Sequence, residues 1–263
     1  MNNNDETNSQ NATVKVEISG FTSKPKILEC SIINNKAIFE GDIFLGYIDK
    51  MKKKESSDPE PIFGIIRTGS EFRWPEGKVP YEIDPNLPNN NKEEVIAAIK
   101  HIEEKTKIRF IKRDSNNADQ FRNYVRVIDD GGCYSAVGMM GEEQPLSASS
   151  GCDWPRVVHE FLHALGVWHE QSREDRENFV TIFWENIKDN MKHNFNQHIL
   201  DGDDNGDYDY GSIMHYGKFD FTKIPGNPTI VAKNGQFIGQ RNALSEGDIE
   251  SIRSLYPELD LTA

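Results

Sequence analysis

Three histidines and a glutamate stand close together in this chain, at His159, Glu160, His163 and His169. In a helix, residues four apart lie one above the other, about 6 Å along the axis at a rise of about 1.5 Å per residue, so the rings of His159 and His163 can reach one ion. Gly166 follows the second histidine by three residues, where glycine's tolerance of the left-handed region ends a helix and turns the chain back. That turn is expected to return His169 to the same ion. Three neutral imidazoles with a fourth position left open describe a catalytic zinc site rather than a closed structural one. Glu160, beside the first ligand, is then placed to take a proton from water activated there. The apolar neighbours Phe161, Leu162, Leu165, Val167 and Trp168 would suit an ordinary core helix, but that reading accounts for none of the histidines.

A second stretch with chemical meaning is Ser212-Ile213-Met214-His215-Tyr216. A methionine in a tight turn can form an adaptable apolar floor beneath metal-bound rings, and a nearby tyrosine can reach the metal or an oxyanion. These groups need a frame. Residues 78–83, 108–111 and 124–128 are rich in β-branched and aromatic side chains and read as strands, while residues 91–106 carry apolar side chains at helical spacing. Strand, helix and strand in succession predict a sheet with a crossover helix packed on it. The helix bearing the histidines starts near Trp154-Pro155. Beyond it the sequence turns irregular until Ser245-Glu246-Gly247-Asp248, which reads as a capping box opening a helix with Ile249, Ile252, Leu255 and Tyr256 on one face.

The chain has 263 residues with 36% hydrophobic content, enough for a sizeable core, and a formal net charge of −13. That charge disfavours nucleic acid and anionic membrane as partners. No apolar run reaches the roughly 20 residues of a membrane span, and the first residues have neither the basic nor the apolar region of a signal peptide, so none is expected in this chain. Residues 1–13 are polar and read as a disordered lead. Residues 14–47 contain short apolar runs that suit docking on a larger body, being too few for a core of their own. Residues 50–61, with Lys52-Lys53-Lys54 and two prolines, read as an exposed linker. Cys30, Cys133 and Cys152 suggest one disulfide and one thiol with a separate task in an exported protein.

The run from His159 to Glu170 and on through Ser172, Arg173, Asp175 and Arg176, followed by Tyr208-Asp209-Tyr210 and Ser212 to Tyr216, resembles the astacin family of metzincin endopeptidases. The likeness covers residues 74–256. It implies an α+β, metzincin-like fold: an N-terminal subdomain with a twisted mixed sheet and two long helices, the second carrying the zinc motif over about residues 154–166, and an irregular C-terminal subdomain ending in a helix. It implies a Met-turn at residues 212–216. It implies zinc on His159, His163 and His169, Glu160 as general base and then acid, and Tyr216 as a further ligand that swings away to support the transition state. Met214 matches the Met-turn residue, and Glu170 the glutamate that receives the newly formed amino terminus after activation. Cys133 and Cys152 match one family disulfide. The partners of a second are absent, because Lys107 stands at one position and Pro257-Glu258 follow Tyr256.

The resemblance also divides the chain into a propeptide with its linker, residues 14–64, and a catalytic domain, residues 65–263, with activation cleavage near Ile65. It implies a secreted peptidase acting on proteins or peptides, with its own propeptide as inhibitor. Phe39-Glu40-Gly41-Asp42 resembles the family's pro-segment motif, whose aspartate occupies the zinc site. Cys30 is the competing latch and the one slightly preferred here, since thiolate is the softer and stronger zinc ligand. Residues 201–209, opening with Asp201-Gly202-Asp203-Asp204-Asn205-Gly206, resemble the start of a calcium loop, but Ser212 stands where the closing glutamate belongs, and a solvated acidic loop is the favoured reading. A domain that binds zinc without catalysis is the alternative; it would be marked by loss of Glu160 or of a ligand, and none is lost.

Overall fold

Alternating and β-branched segments of this chain join one ten-stranded sheet in a computed structural model that describes residues 12–18, 26–51, 62–64, 72–197 and 206–260. Along the chain run β1 (Thr13–Ile18), β2 (Lys26–Ile33), β3 (Lys36–Phe39), β4 (Ile43–Tyr47), the short α1 (Ile48–Met51) and β5 (Ile62–Gly64). Next come β6 (Lys78–Ile83), α2 (Asn89–Lys105), β7 (Arg109–Lys112), β8 (Tyr124–Ile128), β9 (Cys133–Ser135), β10 (Glu143–Ala148) and α3 (Trp154–Leu165). The remainder holds β11 (Val180–Ile182), β12 (Ile230–Ala232) and α4 (Glu246–Leu255), joined by turns and short 3-10 segments. The sheet order is β5-β1-β2-β3-β4-β9-β10-β8-β6-β7. β6 pairs in parallel with β7 and β8, and β8 with β10, as expected of strands joined by a crossover helix. β9 turns antiparallel to β10.

The fold is thus α+β with a mixed sheet, as the resemblance implied. α2 and α3 lie together against the sheet, and the main core joins Val95, Ile99 and Ile102 of α2 with Val79, Val125, Leu146, Phe161 and Leu162. α4 returns from the irregular half to add Ile252 and Tyr256 to this core. A separate cluster around Phe195, Tyr208, Tyr216 and Ile230 holds the C-terminal half, where β11 pairs with β12. Cys133 and Cys152 form a disulfide that ties β9 to the approach to α3. At the position of the missing second staple, Lys107 Nζ reaches the Leu259 carbonyl at 2.8 Å and Asp260 at 3.3 Å. Such an exposed pair is worth about 0–1 kcal/mol, far less than a covalent link.

Three expectations for the leading segment need correction. Thr13, counted in the lead, is the first residue of β1. β1 to β4 form an antiparallel meander that extends the sheet of β6 to β10 itself rather than merely docking on it, with β4 running parallel to β9 through the pair Ile43 and Ser135. The segment also takes part in a small core: Val16, Leu28, Cys30, Ala37, Phe39, Ile43, Leu45 and Ile48 bury one another, with Val137 and the partly buried Trp168 contributed by the later part of the chain. Strand alternation delivers these side chains to one face even in so short a stretch. Residues 52–61, Ile65 with the expected cleavage neighbourhood, and the acidic stretch from 201 to 205 lie outside the described residues.

Candidate metal centre

α3 starts and ends for identifiable reasons. Asp153 caps its N-terminus by accepting from the Arg156 N–H, and Pro155 occupies the first turn, where its missing N–H costs nothing. At the other end Gly166 takes φ 107°, the left-handed turn its sequence position called for. Carbonyls left over at that end find partners: Trp74 Nε1 donates to Ala164 O at 2.8 Å, Tyr256 Oη to Leu165 O at 3.0 Å, and Val167 N to Leu162 O at 2.9 Å. Every residue from Val157 to Leu165 is buried, so the helix is locked in rotation as well as in length.

The turn brings His169 back to His159 and His163. Their ring centroids lie 4.7 to 5.2 Å apart. Each ring is fixed through Nδ1: His159 donates to the Ile213 carbonyl at 2.9 Å, His163 to the Val167 carbonyl at 2.8 Å, and His169 to Glu40 Oε2 at 2.7 Å. With Nδ1 the donor in all three, each Nε2 presents a lone pair to a common point. His159 Nε2 and His169 Nε2 are only 3.2 Å apart, and His163 Nε2 is buried without a hydrogen-bond partner. Converging lone pairs, one of them orphaned, fit a cation between them, and three imidazole nitrogens suit zinc.

A carboxylate shares this point. Asp42 Oδ2 lies 3.3 Å from His159 Nε2, and Asp42 Oδ1 lies 3.2 Å from His169 Nε2 and 3.6 Å from His163 Nε2. The four ligand atoms lie within 4.8 Å of one another. Burial alone would raise the Asp42 carboxyl, but the His169 charge and the imidazoles facing it hold it well below the usual carboxylate range. Burial lowers His159 to about 3 and also lowers His163, keeping both neutral and able to ligate. At His169 burial is outweighed by Asp42 and Glu40, which raise the ring to about 10: the two carboxylates call for positive charge there, and a metal ion on Nε2 supplies it as a proton does.

Cys30 is not at this point, and the preference for it as latch is corrected. It faces inward from β2 into the small apolar cluster, its Sγ 3.9 Å from the Leu28 carbonyl. Burial, with Glu29 nearby, pushes the thiol up to about 12, the behaviour of an inert core cysteine.

Glu160 is buried beside the histidines with Oε2 unpartnered; burial and the Asp42 charge push its carboxyl well up. The Tyr216 ring lies 4.9 Å from that of His169, tilted by 59°, and its hydroxyl donates to the backbone carbonyl of Glu40. Burial, then Glu40 and Asp42, raise the phenol well above its ordinary value, so it remains a donor. Met214 is buried in the main core, and its carbonyl accepts from Glu170 N at 3.2 Å. Glu170 Oε1 accepts from Asp209 N at 2.7 Å, and burial raises its carboxyl to about 7. A cavity of about 330 Å³ opens beside the centre, lined by Glu160, Tyr216, Arg156, Asp220, Phe221 and Arg241. The last four escape sequence reading because no periodicity or motif marks them. Glu40 escapes too, although it stands inside the quoted pro-segment motif.

A sequence model of the astacin peptidases, family M12A, matches residues 67–257. The chain belongs to the astacin family. Zinc metalloproteinase nas-13 of Caenorhabditis elegans is 35% identical to this astacin over 237 residues, 86% of this chain and 51% of that protein. The beta subunit of human meprin A is 38% identical over 227 residues, 83% of this chain and 29% of that protein. This astacin therefore spans about half the length of one curated relative and under a third of the other. Among solved structures, high choriolytic enzyme 1, a hatching enzyme zinc-protease of the medaka Oryzias latipes, matches with 35% identity and a TM-score of 0.66, covering 72% of this chain and 96% of that one. Among the described residues no helix is long and apolar enough to cross a membrane.

Proposed function

We propose that this chain is a zinc-dependent endopeptidase held latent by its own leading segment, with Asp42 as the latch. The observation that carries the reading is the Asp42 carboxylate facing all three Nε2 atoms at 3.2 to 3.6 Å. His159, His163 and His169 would hold the ion, each ring already aimed through its Nδ1 partner. Bound zinc supplies Lewis acidity, which acidifies a water and polarises a peptide carbonyl. Glu160 takes the water's proton at its carboxylate and later returns it to the leaving amine. Tyr216 donates its hydroxyl to the developing oxyanion, a contribution of about 3 kcal/mol for a single well-placed donor. Two features of the present form oppose these steps: Asp42 fills the position facing the histidines, and Tyr216 is occupied by the Glu40 carbonyl.

Met214 and Ile213 act in this reading as supports: the Ile213 carbonyl fixes His159 and the Met214 carbonyl holds Glu170. Glu170 offers a buried carboxylate for the new amino terminus once the leading segment is cut. Export fits a chain with a Cys133–Cys152 disulfide and a latent peptidase site. Proteins or peptides are the substrates, and the acidic stretch of residues 201–209 has no part in the reading. The test uses the uncleaved, zinc-loaded chain. Asp42→Ala should cleave a quenched peptide without prior processing, while Cys30→Ala should stay as latent as wild type. Activity in Cys30→Ala with latency in Asp42→Ala would reverse the assignment.

A further inference from the structure

The turn that delivers Asp42 carries a second carboxylate. Glu40 and Gly41, between β3 and β4, both take left-handed backbone conformations, at φ 48° and 89°. A side chain at Gly41 would meet the Phe221 ring at 2.6 Å, so the turn fits closely under that ring. Two consecutive left-handed residues reverse the chain so sharply that Glu40 and Asp42 reach opposite ends of one imidazole: Glu40 Oε2 lies 2.7 Å from His169 Nδ1, and Asp42 Oδ1 lies 3.2 Å from His169 Nε2. Glu40 is wholly buried. Its Oε1 accepts from the Ser172 hydroxyl, its backbone carbonyl accepts from Tyr216, and the buried Arg176 guanidinium is near enough to feel its charge. A left-handed conformation is uncommon for glutamate, and a carboxylate is expensive to bury. Both costs are offset by the groups that receive it, His169 and Ser172 among them.

We infer that Glu40 is the second half of the latch, a positioning residue that grips His169 from behind while Asp42 faces it from the front. This rests on the pro-segment reading above. Because both carboxylates belong to one short turn, engagement of either holds the other at high effective concentration. The grip therefore persists after the chain is cut and governs how fast the severed segment leaves. On departure, the His169 Nδ1–H, the Ser172 hydroxyl and the Tyr216 hydroxyl are released together, which couples unlatching of the site to freeing of the tyrosine.

The experiment uses the zinc-loaded full chain with a specific protease site introduced within residues 52–61. After cutting, retention of the severed segment is followed by size-exclusion chromatography and native mass spectrometry. Glu40→Ala should release it roughly ten- to hundred-fold faster than wild type, the size of effect expected from losing charge-assisted hydrogen bonds. Glu40→Gln keeps an oxygen for the His169 N–H and should recover most of the retention, which a purely steric or folding defect would not do. The catalytic portion released from each variant is the same polypeptide, so equal kcat/KM after release verifies its folding. If wild type is latent and retained, and only Asp42→Ala hastens release, the Glu40 inference falls and the pro-segment reading stands. If the wild-type segment leaves at once, or the uncut chain is as active as the released domain, the pro-segment reading itself fails.

Discussion

At the residue scale, Glu160 is separable from the metal ligands beside it. His159, His163 and His169 are oriented by Ile213, Val167 and Glu40, and none of these contacts passes through Glu160. Glu160→Ala should therefore keep one zinc per chain by elemental analysis while the activated enzyme loses about 10²- to 10⁴-fold in kcat, the range for a general acid or base. Zinc lost along with activity would make Glu160 a structural support instead. Much of this residue chemistry was legible in the sequence, because ligand spacing on a helix is dictated by 3.6 residues per turn and Gly166 marks where the helix must stop. The latch was less legible. Ligand softness favoured Cys30, but whether a thiol reaches the metal depends on strand register, and in β2 the alternation turns Cys30 into the apolar cluster. Glu40 was hidden for a related reason: its role depends on a backbone conformation that the residue type disfavours.

At the element scale, α3 and its terminal turn act as a ruler for the third ligand. Among the described residues, Gly166 at φ 107° has only Leu255 Cδ1 near its missing side chain, at an ordinary 3.7 Å, so the cost of a methyl there is backbone strain rather than a clash. Gly166→Ala should lower stability by about 1–2 kcal/mol, read from denaturant midpoints. It should also speed zinc loss to a chelator, because His169 follows the turn by three residues. Unchanged stability together with unchanged zinc loss would show that the turn is not what sets the third ligand. The regular elements announced themselves: β6, β8 and α3 follow from alternation, β-branching and capping, and the Ser245–Asp248 capping box is present at α4. β9 and β10 did not, since a three-residue strand and one containing Pro145 have too little local pattern and owe their existence to pairing with each other and with β8.

At the scale of the whole molecule, the leading segment is held by more than its turn. Lys36 of β3 is buried and meets Asp130 at 2.6 Å, and Tyr134 donates to the same oxygen at 2.7 Å. Burial would raise the Asp130 carboxyl, but the Lys36 and Tyr134 hydrogen bonds hold it below its ordinary 3.8. A carboxyl whose folded value is depressed binds fewer protons folded than unfolded as acid is added, so its contribution is full above that ordinary value and fades as pH falls through the folded one. The melting temperature of Asp130→Asn should accordingly lie a constant interval below wild type from pH 8 to about 5, narrowing below about pH 4. An interval that widened with acid would exclude this linkage. Where these strands join the sheet could not be read from the sequence, because one pair, Ile43 with Ser135, makes the junction across some ninety residues of chain. That junction has a consequence for the form that remains after cutting. In the latent-enzyme reading proposed above, β9 would become a sheet edge once the leading segment left, its Ser135 N–H no longer taken by the Asp42 carbonyl at 2.9 Å. Open edges invite other chains to add as strands, a hazard when long and a means of gripping an extended peptide when short. Three residues pinned by a disulfide would make an edge too brief to seed aggregation, yet one placed to meet a passing polypeptide beside the metal centre.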